Sequence, residues 1–215
     1  MQLTHVLALF LIASKNTFYK NDLPNDISFA ETIAIDTEAM GLDPQRDRLC
    51  LIQLSSGDGH AHLVQILPNK NYDNLILLLN NKNKKKLFHF ARFDLAMIHE
   101  HLGVKCTNIY CTKIASKLSR TYTDKHGLKD LCKELLNKEI SKQKQSSDWG
   151  NINLSEEQLR YAASDVLYLH EIKNKLDEIL HRENRSQIAE KCFDFLSTRV
   201  YLDLNGWDDT DIFSH

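Results

Sequence analysis

Two carboxylates stand at the end of one short apolar segment. Residues 33–35 are Ile-Ala-Ile, and they are followed by Asp36 and then by Glu38. A brief β-branched run of this kind, followed by turn residues, favours a strand over a helix. Side chains alternate across a strand, so both carboxylates leave the same face, where they repel each other. A cation or a shared proton between them would relieve that repulsion, whereas a solvated strand end would need neither.

A third acid, Asp165, shares the face of a predicted helix with an aromatic hydroxyl. The helix is predicted over residues 155–180, and Ser155 and Gln158 form a capping box at its start. Tyr161 and Asp165 are separated by one turn, so they lie on the same side of the helix. The rest of that side is apolar, so a carboxylate there requires a partner.

A fourth acid, Asp94, is predicted in the first turn of a helix over Ala91–Leu102 that ends at Gly103. An acid in that position stabilises a helix through its dipole, so the position alone assigns no chemistry. The helix follows a predicted buried strand over residues 84–90. Asp94 is therefore expected close to the end of a strand, as Asp36 is.

The elements that must position these acids form a mixed α/β pattern. Strands are expected first, with helices following around one sheet in a single domain. Residues 48–55 and 60–66 are joined by a Gly-rich turn and predict a hairpin, which together with the strand of Asp36 makes three antiparallel neighbours. We expect an edge strand over residues 17–20 and a short strand over residues 108–111. Helices are predicted near residues 71–80, 112–118, 128–136 and 185–196.

Length and composition indicate one ordinary globular domain. The chain has 215 residues, of which 42% are hydrophobic and 26% are charged. Its formal net charge of −2 gives no overall attraction for nucleic acid, so any such binding must come from local patches. The cysteines form no CxxC pair, which indicates reduced thiols in a cytosolic protein and argues against a structural zinc site.

The two chain ends are predicted to differ from the domain between them. The apolar stretch at residues 6–13 is shorter than the about 20 residues that a membrane-spanning helix needs. A short packed helix, a membrane-surface segment and a peripheral extension are its three interpretations, and we favour the last. We therefore expect an N-terminal extension over residues 1–16, one main domain over residues 17–200 and a C-terminal tail over residues 201–215 packed on that domain.

Three short motifs occur in order along the chain: Asp36-x-Glu38, His89-Phe-Ala-Arg-Phe-Asp94 and Tyr161-x-x-x-Asp165. In this order and at these separations they resemble the three exonuclease motifs of the DEDD superfamily, Tyr subtype. The surrounding sequence is similar to bacterial ribonuclease D, particularly its compact form, from about Thr17 to the C-terminus. One departure is Phe90, where many relatives carry Asn, and it concerns a substrate contact rather than a metal ligand.

The resemblance implies a ribonuclease H-like fold and hydrolysis of nucleic acid from its 3′ end to nucleoside monophosphates. Oxygen ligands favour Mg²⁺ or Mn²⁺ over zinc. Two such ions about 3.5–4 Å apart can stabilise the attacking and leaving oxygens of an in-line displacement. Glu38 is also expected to contact the terminal 3′-hydroxyl. Tyr161 is expected to orient the attacking water and to help take its proton once the metal has lowered the pKa of that water, unless the hydroxyl is only structural. The predicted metal ligands, with Asp36 as the bridge, are Asp36, Glu38, Asp94 and Asp165.

Substrate contacts are predicted from cations, aromatic rings and apolar residues near the motifs. Met40 and Leu42 follow the acidic pair, where they can wedge against the terminal base or pack in the core. His89 is expected to support the site or the core, and the lysine-rich run at residues 82–86 is interpreted as a solvated face. Phosphate-seeking cations and an aromatic ring for stacking unpaired bases favour a surface that includes Arg120, Lys144 and Trp149.

The sequence therefore predicts a metal-dependent 3′–5′ exonuclease that acts on single-stranded RNA 3′ ends, such as those of transfer RNA precursors or other structured RNAs, in the cytoplasm. A DNA exonuclease is the rival within this class, because no feature of the sequence visibly recognises a 2′-hydroxyl. An inactive relative that only binds nucleic acid is the rival from another class, although all four carboxylates and the tyrosine are present. No membrane association and no obligate protein partner are expected.

Overall fold

The computed structural model describes residues 15–140 and 146–215, which form one mixed sheet with helices around it. The strands in this part of the chain are β1 (Lys15–Tyr19), β2 (Thr32–Ala39), β3 (Leu49–Ser55), β4 (His60–Gln65), β5 (Lys85–Phe88) and β6 (Ile109–Cys111). The helices are α1 (Asp73–Asn80), α2 (Ala91–Leu102), α3 (Thr112–Ser119), α4 (Leu128–Leu136), α5 (Glu156–Leu167), α6 (Leu169–Arg182) and α7 (Ser186–Leu202), and a π-helical turn follows at Asp203–Trp207. The predicted α/β class is confirmed.

The sheet brings the ends of three strands to one edge. Its strand order is β1-β4-β3-β2-β5-β6. β2, β3 and β4 are antiparallel neighbours, as predicted, whereas β1 with β4, β2 with β5, and β5 with β6 pair in parallel. Because β2, β5 and β6 run in the same direction, the residues that follow them meet at the same edge, which is where ligands bind in many open α/β sheets.

β2 owes its central position to the complete burial of its first half. The side chains of Ile33, Ala34 and Ile35 are fully excluded from solvent, and every residue of β3 beside them is buried. Such a continuous apolar run is typical of a strand that is covered on both faces. α5 packs across β2, β3 and β4, and α2 contacts β2 and β3. Asp36 and Glu38 therefore emerge from a strand that two helices hold in place.

Helix boundaries differ from the sequence prediction by more than two residues in two places. The single helix predicted over residues 155–180 is wrong, because the chain kinks at Tyr168, between α5 and α6, with φ −104° and ψ −5°. The apolar periodicity continues across the kink, so the pattern could not reveal it. α7 extends to Leu202, beyond the predicted end near residue 196. By contrast, the helices over Ala91–Leu102 and Leu128–Leu136 have the predicted bounds.

The start of the described chain also differs from the prediction. β1 begins at Lys15, inside the stretch of residues 1–16 that was predicted to lie outside the domain. The apolar stretch at residues 6–13 lies outside the described residues, so its predicted role stays a prediction. Of the helices that the structure describes, none is both long enough and apolar enough to span a bilayer.

The C-terminal residues contact α2 and α7 through a shared carboxylate. Arg92 of α2 and Arg199 of α7 both pair with Asp203, at 2.5 and 2.7 Å respectively. Arg199 also donates hydrogen bonds to the carbonyls of Trp207, Asp208 and Thr210. The π-helical turn and the residues after it are therefore held against the two helices.

The capping box at the start of α5 is expected to stabilise the helix that carries Asp165. Ser155 Oγ accepts a hydrogen bond from the Gln158 N–H at 3.2 Å, and Gln158 Oε1 accepts one from the Ser155 N–H at 3.0 Å. Ser155→Ala should lower the free energy of unfolding, measured by urea denaturation, by about 1 kcal/mol. Ser164→Ala is the matched control, because the Ser164 hydroxyl donates to the Tyr161 carbonyl within the same helix. If Ser155→Ala and Ser164→Ala lowered the free energy of unfolding equally, the capping argument would be contradicted.

Candidate metal centre

Three carboxylates from two elements converge at the carboxyl end of β2. Oxygen atoms of Asp36 and Glu38 from β2 and of Asp165 from α5 all lie within 4.8 Å of one another, and each residue is partly buried. The alternation of β2 puts the first two carboxylates on one face. The packing of α5 across the sheet then brings the third to them.

Asp94, the fourth predicted ligand, lies beside this group and already has a hydrogen-bond partner. It is 3% exposed in the first turn of α2. Its Oδ1 accepts a hydrogen bond from Thr37 Oγ1 at 2.7 Å. Burial, followed by the charge of Asp36, raises the pKa of Asp94 well above its ordinary value. The four acids therefore form one electrostatic unit, although only three have oxygens within 4.8 Å of one another.

Burial and mutual repulsion disfavour the ionised forms of these acids. Burial raises the pKa of Asp36 to about 7. The pKa of Glu38 is raised to about 10, first by burial and then by the charges of Asp36, Asp165 and Asp94. A divalent cation among these oxygens would favour the ionised ligands again. The donor set consists of oxygen atoms, which suits Mg²⁺ or Mn²⁺ rather than zinc.

Tyr161 lies one turn before Asp165, and its hydroxyl is directed into the acidic group. The hydroxyl forms a hydrogen bond with Asp165, and the pKa of Tyr161 is raised by burial and by the charges of Asp165, Glu38 and Asp36. An ordinary phenol is already protonated at neutral pH, with a pKa of about 10. The Tyr161 hydroxyl is therefore placed to donate a hydrogen bond to Asp165, and its role towards the attacking water stays a prediction.

Met40 and Leu42 are exposed just beyond the acidic pair. Met40 is 52% exposed and Leu42 is 85% exposed, so core packing, one of their two interpretations, is wrong. The register of β2 shifts between Glu38 and Ala39, which turns the chain at this point. Met40 rests against Gly150, where a Cβ atom would collide with the Met40 Sδ. Both apolar side chains thus border the acidic group, and the exposed part of each can contact a ligand.

Two residues that were predicted to bind substrate are buried instead. Trp149 is 2% exposed, and its ring centroid lies 6.1 Å from that of Tyr161. Arg120 is fully buried. The predictions of a stacked base on Trp149 and a phosphate contact from Arg120 are wrong, because neither side chain reaches solvent. The guanidinium of Arg120 instead donates to oxygens of Ser116, Lys125 and Glu134.

His89 connects two strand ends at the edge of the sheet. Its Nδ1 forms a hydrogen bond with Thr112 Oγ1 at 2.9 Å, and Thr112 Oγ1 in turn donates to the carbonyl of Phe88. The end of β5 is thereby joined to the start of α3, which is a supporting position of the kind expected. A direct contact of His89 with substrate stays a prediction. Lys144 lies outside the described residues, so its phosphate contact stays a prediction as well.

Two residues beside the acidic group have features that the sequence pattern did not indicate. Thr37 donates to Asp94, whereas alternation along β2 directs it away from the face of Asp36 and Glu38. Phe90 precedes α2 with a left-handed backbone, φ 67° and ψ 45°, and is 45% exposed. The only signal for Phe90 was its departure from Asn, a residue that tolerates this conformation well.

A mixed six-stranded sheet with a carboxylate cluster at the end of its central strand defines a ribonuclease H-like domain of the DEDD exonuclease type. The model of a family described as 3′-5′ exonuclease matches residues 13–181. The chain belongs to this family.

Individual relatives agree with that assignment. Ribonuclease D from Gluconacetobacter diazotrophicus is 32% identical over 71% of this chain and 39% of its own length. The chain thus spans less than half of the curated ribonuclease D proteins that it matches. The structure of Brucella melitensis NrnC with bound Mg²⁺ is 52% identical, with a TM-score of 0.89, and covers 94% of this chain and 99% of its own. Escherichia coli RNase D is 25% identical, with a TM-score of 0.72, over 83% of this chain and 48% of its own.

The ion pair between Arg120 and Glu134 is expected to stabilise the fold. Glu134→Ala should lower the free energy of unfolding by about 2 kcal/mol, because it removes a partly exposed carboxylate that accepts hydrogen bonds from the buried Arg120 guanidinium. The measurement is denaturant unfolding. Glu178→Ala, which removes the exposed partner of Lys175, is the matched control and should cost at most about 1 kcal/mol. If both variants lowered the free energy of unfolding by the same amount, the pair between Arg120 and Glu134 would stabilise the fold no more than an exposed pair does.

Proposed function

We propose that this protein is a divalent-metal-dependent 3′–5′ exoribonuclease that hydrolyses single-stranded RNA 3′ ends, down to dinucleotides, to nucleoside monophosphates. The observation that carries the proposal is the convergence of Asp36, Glu38 and Asp165 oxygens within 4.8 Å. Two relatives support the choice of substrate. Brucella melitensis NrnC, which is 52% identical, has been solved bound to pGG. Escherichia coli RNase D is an exoribonuclease involved in structured RNA processing, so trimming of transfer RNA and other structured RNA 3′ ends is part of the proposal.

The acidic residues fit a pair of divalent ions, for which Asp36, Glu38, Asp94 and Asp165 would be the ligands. When bound, Mg²⁺ or Mn²⁺ would lower the pKa of water and stabilise the charge that develops on the phosphate. Attack of water on the terminal phosphate breaks its bond to the 3′ oxygen of the preceding nucleotide, and that oxygen takes a proton as the monophosphate leaves. No Cys or His belongs to this cluster within the described chain, which agrees with oxygen-seeking ions.

Protein side chains orient the reacting groups in this proposal. Tyr161 stays protonated because its pKa is raised, so it donates a hydrogen bond that orients the attacking water. Glu38 accepts a hydrogen bond from the terminal 3′-hydroxyl. The exposed side chains of Met40 and Leu42 lie beside the acidic pair, where they pack against the terminal base. A free 3′ end is required because only a terminal nucleotide fits against this wedge.

We also place the protein in the cytoplasm. The five cysteines, Cys50, Cys106, Cys111, Cys132 and Cys192, are all free thiols in the structure. Unpaired thiols, most of them buried, suit a reducing compartment. No obligate protein partner forms part of the proposal.

Activity should depend on a divalent ion and on a free 3′ end. A 5′-labelled single-stranded RNA should shorten stepwise with Mg²⁺ or Mn²⁺ and stay intact with EDTA, because four clustered carboxylates need the cation to bind an anionic substrate. A circular RNA of the same sequence is the control and should remain uncut. Internal cleavage would exclude an exonuclease, and faster shortening of the matched DNA would reassign the substrate to DNA.

Metal ligands and the hydrogen-bond donor should be separable by mutation. Asp36→Ala and Asp165→Ala should abolish turnover and weaken Mn²⁺ binding in isothermal titration, because each removes an oxygen ligand. Tyr161→Phe should lower the rate by about 10²–10⁴ and leave Mn²⁺ binding nearly unchanged. Tyr201→Phe, a change of the same kind on exposed α7 surface, is the control. A Tyr161→Phe enzyme with normal turnover would show that the hydroxyl is only structural.

A further inference from the structure

Phe90 presents its ring to solvent from a backbone conformation that Phe rarely adopts. Its φ of 67° and ψ of 45° are left-handed, and the residue is 45% exposed at the N-terminal end of α2. A bulky residue with this backbone is strained, and such strain concentrates at functional sites. Burial in the core does not explain the choice of Phe, since nearly half of the residue stays in solvent.

Phe90 belongs to the same sheet edge as the acidic group. β2, β5 and β6 run parallel, so Phe90 and Lys113, which follow the ends of β5 and β6, lie on the same side of the sheet as the second half of β2, which carries Asp36. The register places Leu87 beside Ala34 and Cys111 beside Phe88, so β5 and β6 end level with Ile35, the residue before Asp36, at lateral spacings of about 5 and 10 Å from β2. The hydrogen bond between His89 and Thr112 holds the last two ends together. A strand of RNA with its scissile phosphate at the acids would reach Phe90 with the next nucleotide.

The surface around Phe90 is basic as well as aromatic. Lys113 Nζ lies 4.0 Å from the centroid of the Phe90 ring. Phe90 and Lys113 are among the residues that line a cleft between α2, α3 and α7. The described lining of this cleft includes cations and apolar side chains but no carboxylate. Arg92 and Arg199 in this lining share the carboxylate of Asp203. The cations in the lining that form no ion pair with any described residue are Lys113, Lys117 and Lys191.

Charge and chemistry together point to one occupant. Unpaired lysines beside an exposed ring attract an anion that also carries flat, unpaired bases, and single-stranded nucleic acid has both properties. We propose that Phe90 and Lys113 form a second nucleotide subsite, in which the base that precedes the scissile phosphate stacks on Phe90 and the phosphate on its 5′ side pairs with Lys113. The subsite rests on the proposed exonuclease function and adds to it a defined contact for the nucleotide that stays on the shortened RNA.

The stacking contact can be tested by pairing a protein variant with an RNA variant. The probes are a 5′-labelled seven-nucleotide RNA and the same RNA without the base second from its 3′ end, bound in Ca²⁺ and followed by fluorescence anisotropy. The wild-type protein should bind the abasic RNA about 10-fold more weakly. Phe90→Asn should bind the intact RNA about 10-fold more weakly than the wild-type protein does. The variant should bind the abasic RNA only slightly more weakly than it binds the intact RNA, because the amino-acid change and the missing base remove the same stacking contact.

Matched variants separate this contact from general effects. Asn accepts the left-handed backbone, so Phe90→Asn should fold, and an unchanged thermal midpoint confirms it. Lys113→Gln should weaken binding of both RNAs equally and reduce the salt dependence of binding, as expected for a phosphate contact. Lys82→Gln makes the same charge change on an exposed residue away from this edge, and it should leave binding unchanged.

Three results would overturn the subsite. One is that the wild-type protein and Phe90→Asn prefer the intact RNA over the abasic RNA by the same factor. Another is that this preference is unchanged in Phe90→Asn while light scattering gives the variant a lower molecular mass than the wild-type protein. That result would make this surface a contact between copies of the chain. The third is that Lys82→Gln weakens RNA binding as much as Lys113→Gln does. The exonuclease proposal fails separately, if the wild-type protein shows the base-dependent binding but never shortens RNA with Mg²⁺.

Discussion

Repulsion among carboxylates at the end of β2 is the constraint on which the rest of the structure depends. Asp36 and Glu38 leave a strand whose first half is completely buried, and α5 adds Asp165 to them. Burial and neighbouring charge raise the pKa values of these acids. An arrangement of this kind persists only if the surrounding packing is rigid and a cation or a proton offsets the charge. The tightly packed strands and helices around β2 provide that rigidity.

The direction of the strands explains how residues distant in the sequence are brought to that point. β2, β5 and β6 are parallel, so the segments after them begin at one edge of the sheet. β2 pairs with β5 only over residues 32–34. Beyond that pairing, the first turn of α2 lies against β2, where Asp94 accepts a hydrogen bond from Thr37. The fourth acid is therefore held by the same strand that carries the first two.

The surroundings of the acidic group illustrate why residue type does not predict exposure. Arg120 has the chemistry of a phosphate ligand, yet its guanidinium is used inside the protein to hold Glu134 and the carbonyl of Lys125. Trp149 has the chemistry of a stacking platform, yet it lies buried near Tyr161. Phe90, by contrast, occupies a strained, exposed position that nothing in its immediate sequence required. A long side chain can satisfy the same chemistry from the core or from the surface, and local sequence does not decide between them.

Local rules were sufficient wherever a short stretch of sequence settles the structure. The alternation of β2, the helix over Ala91–Leu102 with its terminal Gly103, and the capping box at Ser155 were all predicted because each depends on neighbours within a few residues. The family motifs likewise identified the acids before their positions were known. Only the tertiary structure decided that Asp94 lies beside the other three, that the chain kinks at Tyr168, and that Arg120 points inward. These outcomes depend on packing between segments that are far apart in the chain, and no periodicity or residue type encodes that packing by itself.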